Sequence, residues 1–243
     1  MVFRLRAFSI HLGISFFLAL LALAVVFLVW YPSPLAGAVG VSDIFLMMLG
    51  VDVALGPALT LIVAKKGKPS LPFDLAVIAL VQMGALIYGM HSIAVARPAW
   101  LVFSGYRFDL VQANSLEDKY LVSAVPAYQS VSWSGPRWVT ARMPSDAKKR
   151  NELVTGVVAG GPDLPQRPDL YAPIESDAAL IEARARPLEE LKKFNSIDQV
   201  DAKRAKWPEA DAWLPLMSKG KALVVFFSRK DAKRFAIVDL RPF

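Results

Sequence analysis

The stretch LMMLGVDVALGPALTLIV, Leu46–Val63, is apolar throughout except for one ionisable residue, Asp52, at its middle. About 20 such residues are needed for a helix to cross a 30 Å hydrocarbon layer. Extended to its flanks, about 44–64, the run has that length. Two further runs match it, about 8–30 and 73–96. The first exceeds the roughly 7–15 apolar residues of a signal peptide. It therefore reads as an uncleaved span, although Ala36–Ala38 imitates a cleavage site. Arg4 and Arg6 precede the first span, and KKGKPSLP, Lys65–Pro72, joins the second to the third. The Tyr31–Asp43 loop has neither Lys nor Arg. Positive charge near a membrane tends to stay cytoplasmic. The amino terminus and the lysine turn are then inside, and everything after Arg97 lies outside the inner membrane, in the periplasm of a Gram-negative cell. Trp30 and Tyr31 end the first span, as interfacial aromatics do.

Composition fits this division. The chain has 243 residues, 55% of them hydrophobic, and its mean hydropathy is +0.40. Residues 1–97 form a three-span region, and 98–243 have the length of one ordinary domain. The formal charge is +7, of which 98–243 carry +4, 22 Lys and Arg less 18 Asp and Glu. Dispersed charge of that size makes no basic stripe for nucleic acid. With no cysteine there is no disulfide, thiolate metal site or cysteine nucleophile.

The outer part reads as a small α+β domain, with strands at both ends and helices between. Trp100–Phe103 and Tyr106–Val111 are short β runs about a Ser104–Gly105 turn. Ala222–Phe227 and Phe235–Leu240 form a hairpin across the turn Ser228–Arg234. Ser145, Ser176 and Ser196 stand where helix N-caps belong. Gly160–Pro173 is turn-rich and reads as a surface loop.

Catalytic chemistry is thinly represented. His11 and His91 lie near span ends and read as interfacial side chains. Two histidines without neighbouring carboxylates make no zinc site. No serine elbow or phosphate loop is present. An aspartyl dyad needs two carboxylates sharing a proton. Asp74 lies near the cytoplasmic edge and Asp52 about 11 residues deeper, about 16 Å along a helix at 1.5 Å per residue. No catalytic, cofactor or metal residues are therefore assigned. A transporter subunit using Asp52 for ions or protons is the alternative, against which three spans are few.

The surroundings of Asp52 suit helix docking. Gly50, Ala54 and Ala58 recur every four residues, and Asp52, Gly56 and Thr60 form a second row. Pro57 removes a backbone donor and should kink the helix. Gln82 and Tyr88 on the third span are candidate partners for Asp52. Either row could face this chain's own bundle or the helix of another protein. In the outer domain, Trp133 and Trp138 are candidate interface aromatics.

DIFLMMLGVDVALGPALTLIV (Asp43–Val63), FDLAVIALVQ (Phe73–Gln82) and RPAWLVF (Arg97–Phe103) together resemble the TfpX/TfpZ family of type IV pilin accessory proteins. RAFSIHLGIS (Arg6–Ser15), VFLVWYPSPL (Val26–Leu35) and FDLVQAN (Phe108–Asn114) extend the resemblance over residues 4 to about 114. It implies an inner-membrane, non-enzymatic, chaperone-like protein that supports pilin stability or fimbrium biogenesis. The implied partners are a type IV major pilin, membrane lipid and other pilus-assembly proteins. It supplies no active site to carry over.

Overall fold

The computed structural model describes residues 1–243, apart from the side chains of 231–233. The chain forms two compact units. One comprises Met1–Pro32 with Gly40–Val95, the other Ser33–Val39 with Ala96–Phe243.

The first unit is three long helices. α1 spans Val2–Ala24 and continues as a π-helix over Val25–Trp30; α3 spans Val41–Val63 and α4 spans Leu71–Val95. All three are long and apolar enough to cross a membrane. α3 packs against both α1 and α4. Its buried positions, Phe45, Leu49, Gly56 and Thr60, follow the three-to-four spacing of a single helical face. The helix runs through Pro57, which is itself buried. At one end the Tyr31 hydroxyl donates to the Ile93 carbonyl at 2.8 Å, tying α1 to α4.

The second unit is built on a mixed sheet in the order β4-β3-β1-β2-β6-β7-β8, with the two-residue β5 paired to β6. The strands are β1 Pro98–Phe103, β2 Phe108–Gln112, β3 Arg137–Ala141, β4 Tyr171–Pro173, β5 Arg186–Pro187, β6 Ala212–Met217, β7 Leu223–Ser228 and β8 Asp231–Val238. β1 pairs parallel with β3, and β2 pairs parallel with β6. β1 is buried along its whole length. Strand side chains alternate between faces. Leu101 and Phe103 thus enter one core, with Leu214, Leu216, Val225 and Phe227. Trp100 and Val102 enter a second, with Tyr128, Leu153 and Tyr171. A third cluster holds Trp213, Val224 and Phe226 against Leu191 and Val200.

Helices cover the sheet: α5 Asp118–Ser123, α6 Ala147–Val158, α7 Ala178–Arg184 and α8 Ile197–Ala205. Asp146 rather than Ser145 caps α6, accepting from the Lys149 amide at 2.8 Å. Ser176 lies within a 3-10 turn ahead of α7 and makes no cap. Ser196 does cap α8. The β7–β8 connection is tighter than the spacing of charges suggested, because β8 begins at Asp231.

Three stretches depart further from the sequence reading. Gly160–Pro173 is not a loop on the surface. Leu164 and Tyr171 pack into the second core and Tyr171–Pro173 is an edge strand. β6 runs through Pro215, a residue that argues against a strand in the sequence. Pro215 is tolerated because β5 pairs with residues 212–213 and β2 with residues 216–217, so Pro215 falls between the two partners on that side. Lastly, Leu35–Val39 forms a short helix, α2, whose Leu35 and Ala38 lie in the first core of the sheet domain. The Ala38 carbonyl accepts from the Lys221 amide at 2.9 Å and the Ser218 hydroxyl at 2.8 Å.

Two carboxylates of this domain are displaced in opposite senses. Burial raises Asp109 above the ordinary carboxylate range, despite contacts from Ser104 and Arg107. Burial also pushes Asp177 upward, but hydrogen bonds from Arg142 and Thr140 outweigh it and hold that carboxyl low. These bonds tie β3 to the turn ahead of α7.

Candidate helix-docking site

The polar residues of the helical unit converge on one place. His11 of α1 bonds through Nδ1 to the Thr60 hydroxyl of α3 at 2.6 Å. Through Nε2 it bonds to the Gln82 side-chain oxygen of α4 at 2.7 Å. An amide oxygen only accepts, so with this amide orientation Nε2 carries a proton and donates to Gln82. The Gln82 amide nitrogen donates in turn to the Asp52 main-chain carbonyl at 2.7 Å. One histidine and one glutamine therefore link all three helices. Bonds of this kind between apolar helices are worth about 0.6 kcal/mol on average, up to nearly 2.

Gln82 does reach Asp52, but at its backbone rather than its carboxyl. The Asp52 Oδ2 is buried and has no hydrogen-bond partner among the described residues. It borders a cavity of about 100 Å³ lined mostly by apolar groups, together with His11, Ser15 and Gln82. Tyr88, the other expected partner, is 75% exposed and turned away. Six residues beyond Gln82 is about 600° of helix, hence a different face.

The two rows of α3 separate cleanly. Gly56 and Thr60 are buried and Asp52 is half-buried. Gly56 lies directly under the Gln82 amide, where a Cβ would collide with it. Gly50, Ala54 and Ala58 are exposed, and a Cβ on Gly50 would meet nothing within 4 Å. The first row thus serves this chain's own bundle, and the second faces away from it.

His11 is the functional candidate that the sequence did not reveal. Its place near a span end suggests an interfacial side chain, whereas it lies half-buried among the three helices. A signal existed, since His11, Ser15, Ala19 and Ala22 fall on one face of α1. His91 is exposed. Among the described residues no three His, Asp or Glu side chains are grouped as a metal would need.

The two tryptophans of the outer domain part company. Trp138 in β3 packs on Phe108 and Phe235, with ring centroids 5.2 and 4.9 Å away, and belongs to the core. Trp133 is 62% exposed, and its ring carries the Arg97 guanidinium 3.9 Å from the centroid.

Three apolar helices linked by part-buried polar bonds and followed by a strand-rich domain define the class of protein. The chain belongs to the fimbrial assembly protein family. It is 31% identical over 207 residues to the fimbrial assembly protein, serogroup E1, of Dichelobacter nodosus, covering 84% of this chain and 80% of that protein. The serogroup I protein of the same organism is 30% identical over the same extent. The protein of serogroups C1 and C2 is 36% identical over 104 residues, 42% of this chain and 79% of that protein. The profile of the family described as fimbrial assembly protein FimB matches residues 1–40. No solved structure matches the chain.

Proposed function

We propose that this chain is a non-enzymatic inner-membrane accessory protein of the TfpX/TfpZ type, which binds type IV pilin and supports its stability and assembly into pili. The observation that carries the reading is the outward-facing row Gly50, Ala54 and Ala58 on α3. Small residues let helix backbones approach closely, and association in lipid depends on such packing. The inward row already holds the bundle, so the outward row is available to the membrane helix of a partner. Its relatives' designation as fimbrial assembly proteins makes a pilin the favoured partner.

The amino terminus and the Lys65–Lys68 turn are cytoplasmic in this reading, and the sheet domain is periplasmic. That Ser33–Val39 and Ala96–Phe243 fold as one unit fits three crossings, which put the first loop and the domain on the same side, and the charge pattern is what chooses the side.

Deleting the gene should lower pilin abundance and surface pili. Photo-crosslinkers at positions 50, 54 and 58 should capture pilin, while one at 56 should join only the third span. Unchanged pilin levels, or crosslinks from 50, 54 and 58 confined to this chain, would overturn the proposal. Loss of an ion or proton flux in Asp52→Asn with normal pili would favour a transporter subunit instead.

A further inference from the structure

Within the helical unit, Asp52 keeps one buried carboxylate oxygen, Oδ2, without a hydrogen-bond partner among the described residues. The polar groups near it are committed elsewhere. His11 is bonded to Thr60 and Gln82, and Gln82 to His11 and the Asp52 main chain. A buried carboxylate oxygen left unpaired is expensive, above all in hydrocarbon. The cavity of about 100 Å³ that it borders shows where a partner enters. Leu49 and Val53 of α3 contribute the floor, Ile14 and Ser15 of α1 one wall, and Ala79 and Met83 of α4 the other. Ile14, Ala79 and Met83 are exposed, so the mouth lies between α1 and α4 and faces away from the bundle.

We infer that this cavity takes the ammonium group of a lysine carried by another protein's membrane helix, which lies between α1 and α4 and donates to Asp52 Oδ2. The inference rests on reading α3 as a membrane span, and its site is distinct from the outward row Gly50, Ala54 and Ala58. Apolar walls suit the lysine methylenes, and Ser15 offers a hydroxyl on the same lining. The volume admits a short alkyl chain with a compact head, since a cavity of about 150 Å³ holds benzene. A compact ammonium also enters it more readily than the planar fork of arginine. Depth selects a helix as the carrier. Asp52 is 11 residues from each end of α3, hence about 16 Å from either end. Lipid headgroups stay outside the hydrocarbon, whereas ionisable side chains within spans pair with one another. Ser15, Ala19 and Ala79 keep the lining small, which lets a helix backbone come close.

The probe is a synthetic leucine–alanine membrane peptide of about 20 residues with lysine at its centre, compared with the same peptide carrying leucine there. In phosphatidylethanolamine–phosphatidylglycerol vesicles, the full-length protein should bind the lysine peptide about tenfold more tightly, as one charged hydrogen bond allows. Asp52→Asn should erase that preference. Ala79→Phe, at an exposed position of the mouth, should erase it too while leaving the thermal midpoint in detergent unchanged. The chain has no cysteine, so Ala79→Cys and Gly50→Cys each create a unique site. A peptide cysteine one turn from the lysine should form a disulfide with position 79 and not with position 50. Equal affinity for both peptides overturns the inference, as does a preference that survives Asp52→Asn or a disulfide formed at 50 instead. Two copies of this chain joined through position 79, undisturbed by the lysine peptide, would make the occupant a second copy and also overturn it. Failure of the protein to insert into the vesicles would overturn the membrane reading, and the inference with it.

Discussion

Gly50 and Gly56 lie six residues apart on α3 and meet opposite surroundings. A methyl group at 56 would enter the space of the Gln82 amide, which is already committed to His11 and the Asp52 carbonyl. Gly56→Ala should therefore displace Gln82 and cost about 1–2 kcal/mol, the value of one or two interhelical bonds, read as a lower midpoint of thermal unfolding in detergent. Adding Gln82→Ala should recover part of that loss, since the two changes share one contact. Gly50→Ala should leave the midpoint unchanged or slightly raised, because alanine is the better helix former by about 1 kcal/mol. Equal destabilisation by both alanines would mean that the two rows do not divide as described. The position of Gly56 on a small-residue row was legible in the sequence. Which row faces inward was not, because Gln82 is 26 residues away along the chain and its packing chooses the face.

At the scale of elements, α2 is the least expected feature. SPLAGAV, Ser33–Val39, reads as a connecting loop between spans, yet it supplies Leu35 and Ala38 to the core of the sheet domain. Gly220 approaches the Ala38 carbonyl so closely that a Cβ would meet it at 2.6 Å. Leu35→Ala should destabilise the domain by about 2–5 kcal/mol, as large-to-small changes in a packed core do. Residues 96–243 expressed without 33–39 should bind a hydrophobic dye and unfold at lower denaturant than the same domain with the segment supplied. A free-standing domain of unchanged stability would show that α2 is only an ornament. Composition could not announce this role. Leucine, alanine, glycine and proline are as ordinary in a turn as in a core, and only packing with residues far along the chain makes them core. The burial of Leu164 and Tyr171 within Gly160–Pro173 escaped the sequence for the same reason, since the glycines and prolines there signal turns and say nothing about where Tyr171 points.

For the molecule as a whole, the charge pattern predicts a direction of crossing, and tertiary structure joins the first loop and the sheet domain in one unit. Alkaline phosphatase, active only outside the cytoplasm, should be active when fused after Val39 or at the carboxyl terminus and inactive when fused after Lys66. Activity at Lys66 would reverse the orientation. What the sequence determined by itself is what depends on local composition. This comprises three apolar runs of helix length, the lysine turn between the second and the third, strands at the two ends of the domain, and the small-residue rows on α3. What tertiary structure alone decided is what depends on partners far along the chain. His11 joins Thr60 and Gln82, 49 and 71 residues away, the first loop completes a core nearly two hundred residues later, and Trp138 turns inward while Trp133 stays out. Periodicity and charge act within a helical turn or a membrane thickness, and so can be read in order. Packing closes gaps between surfaces whose shapes exist only after the chain has folded.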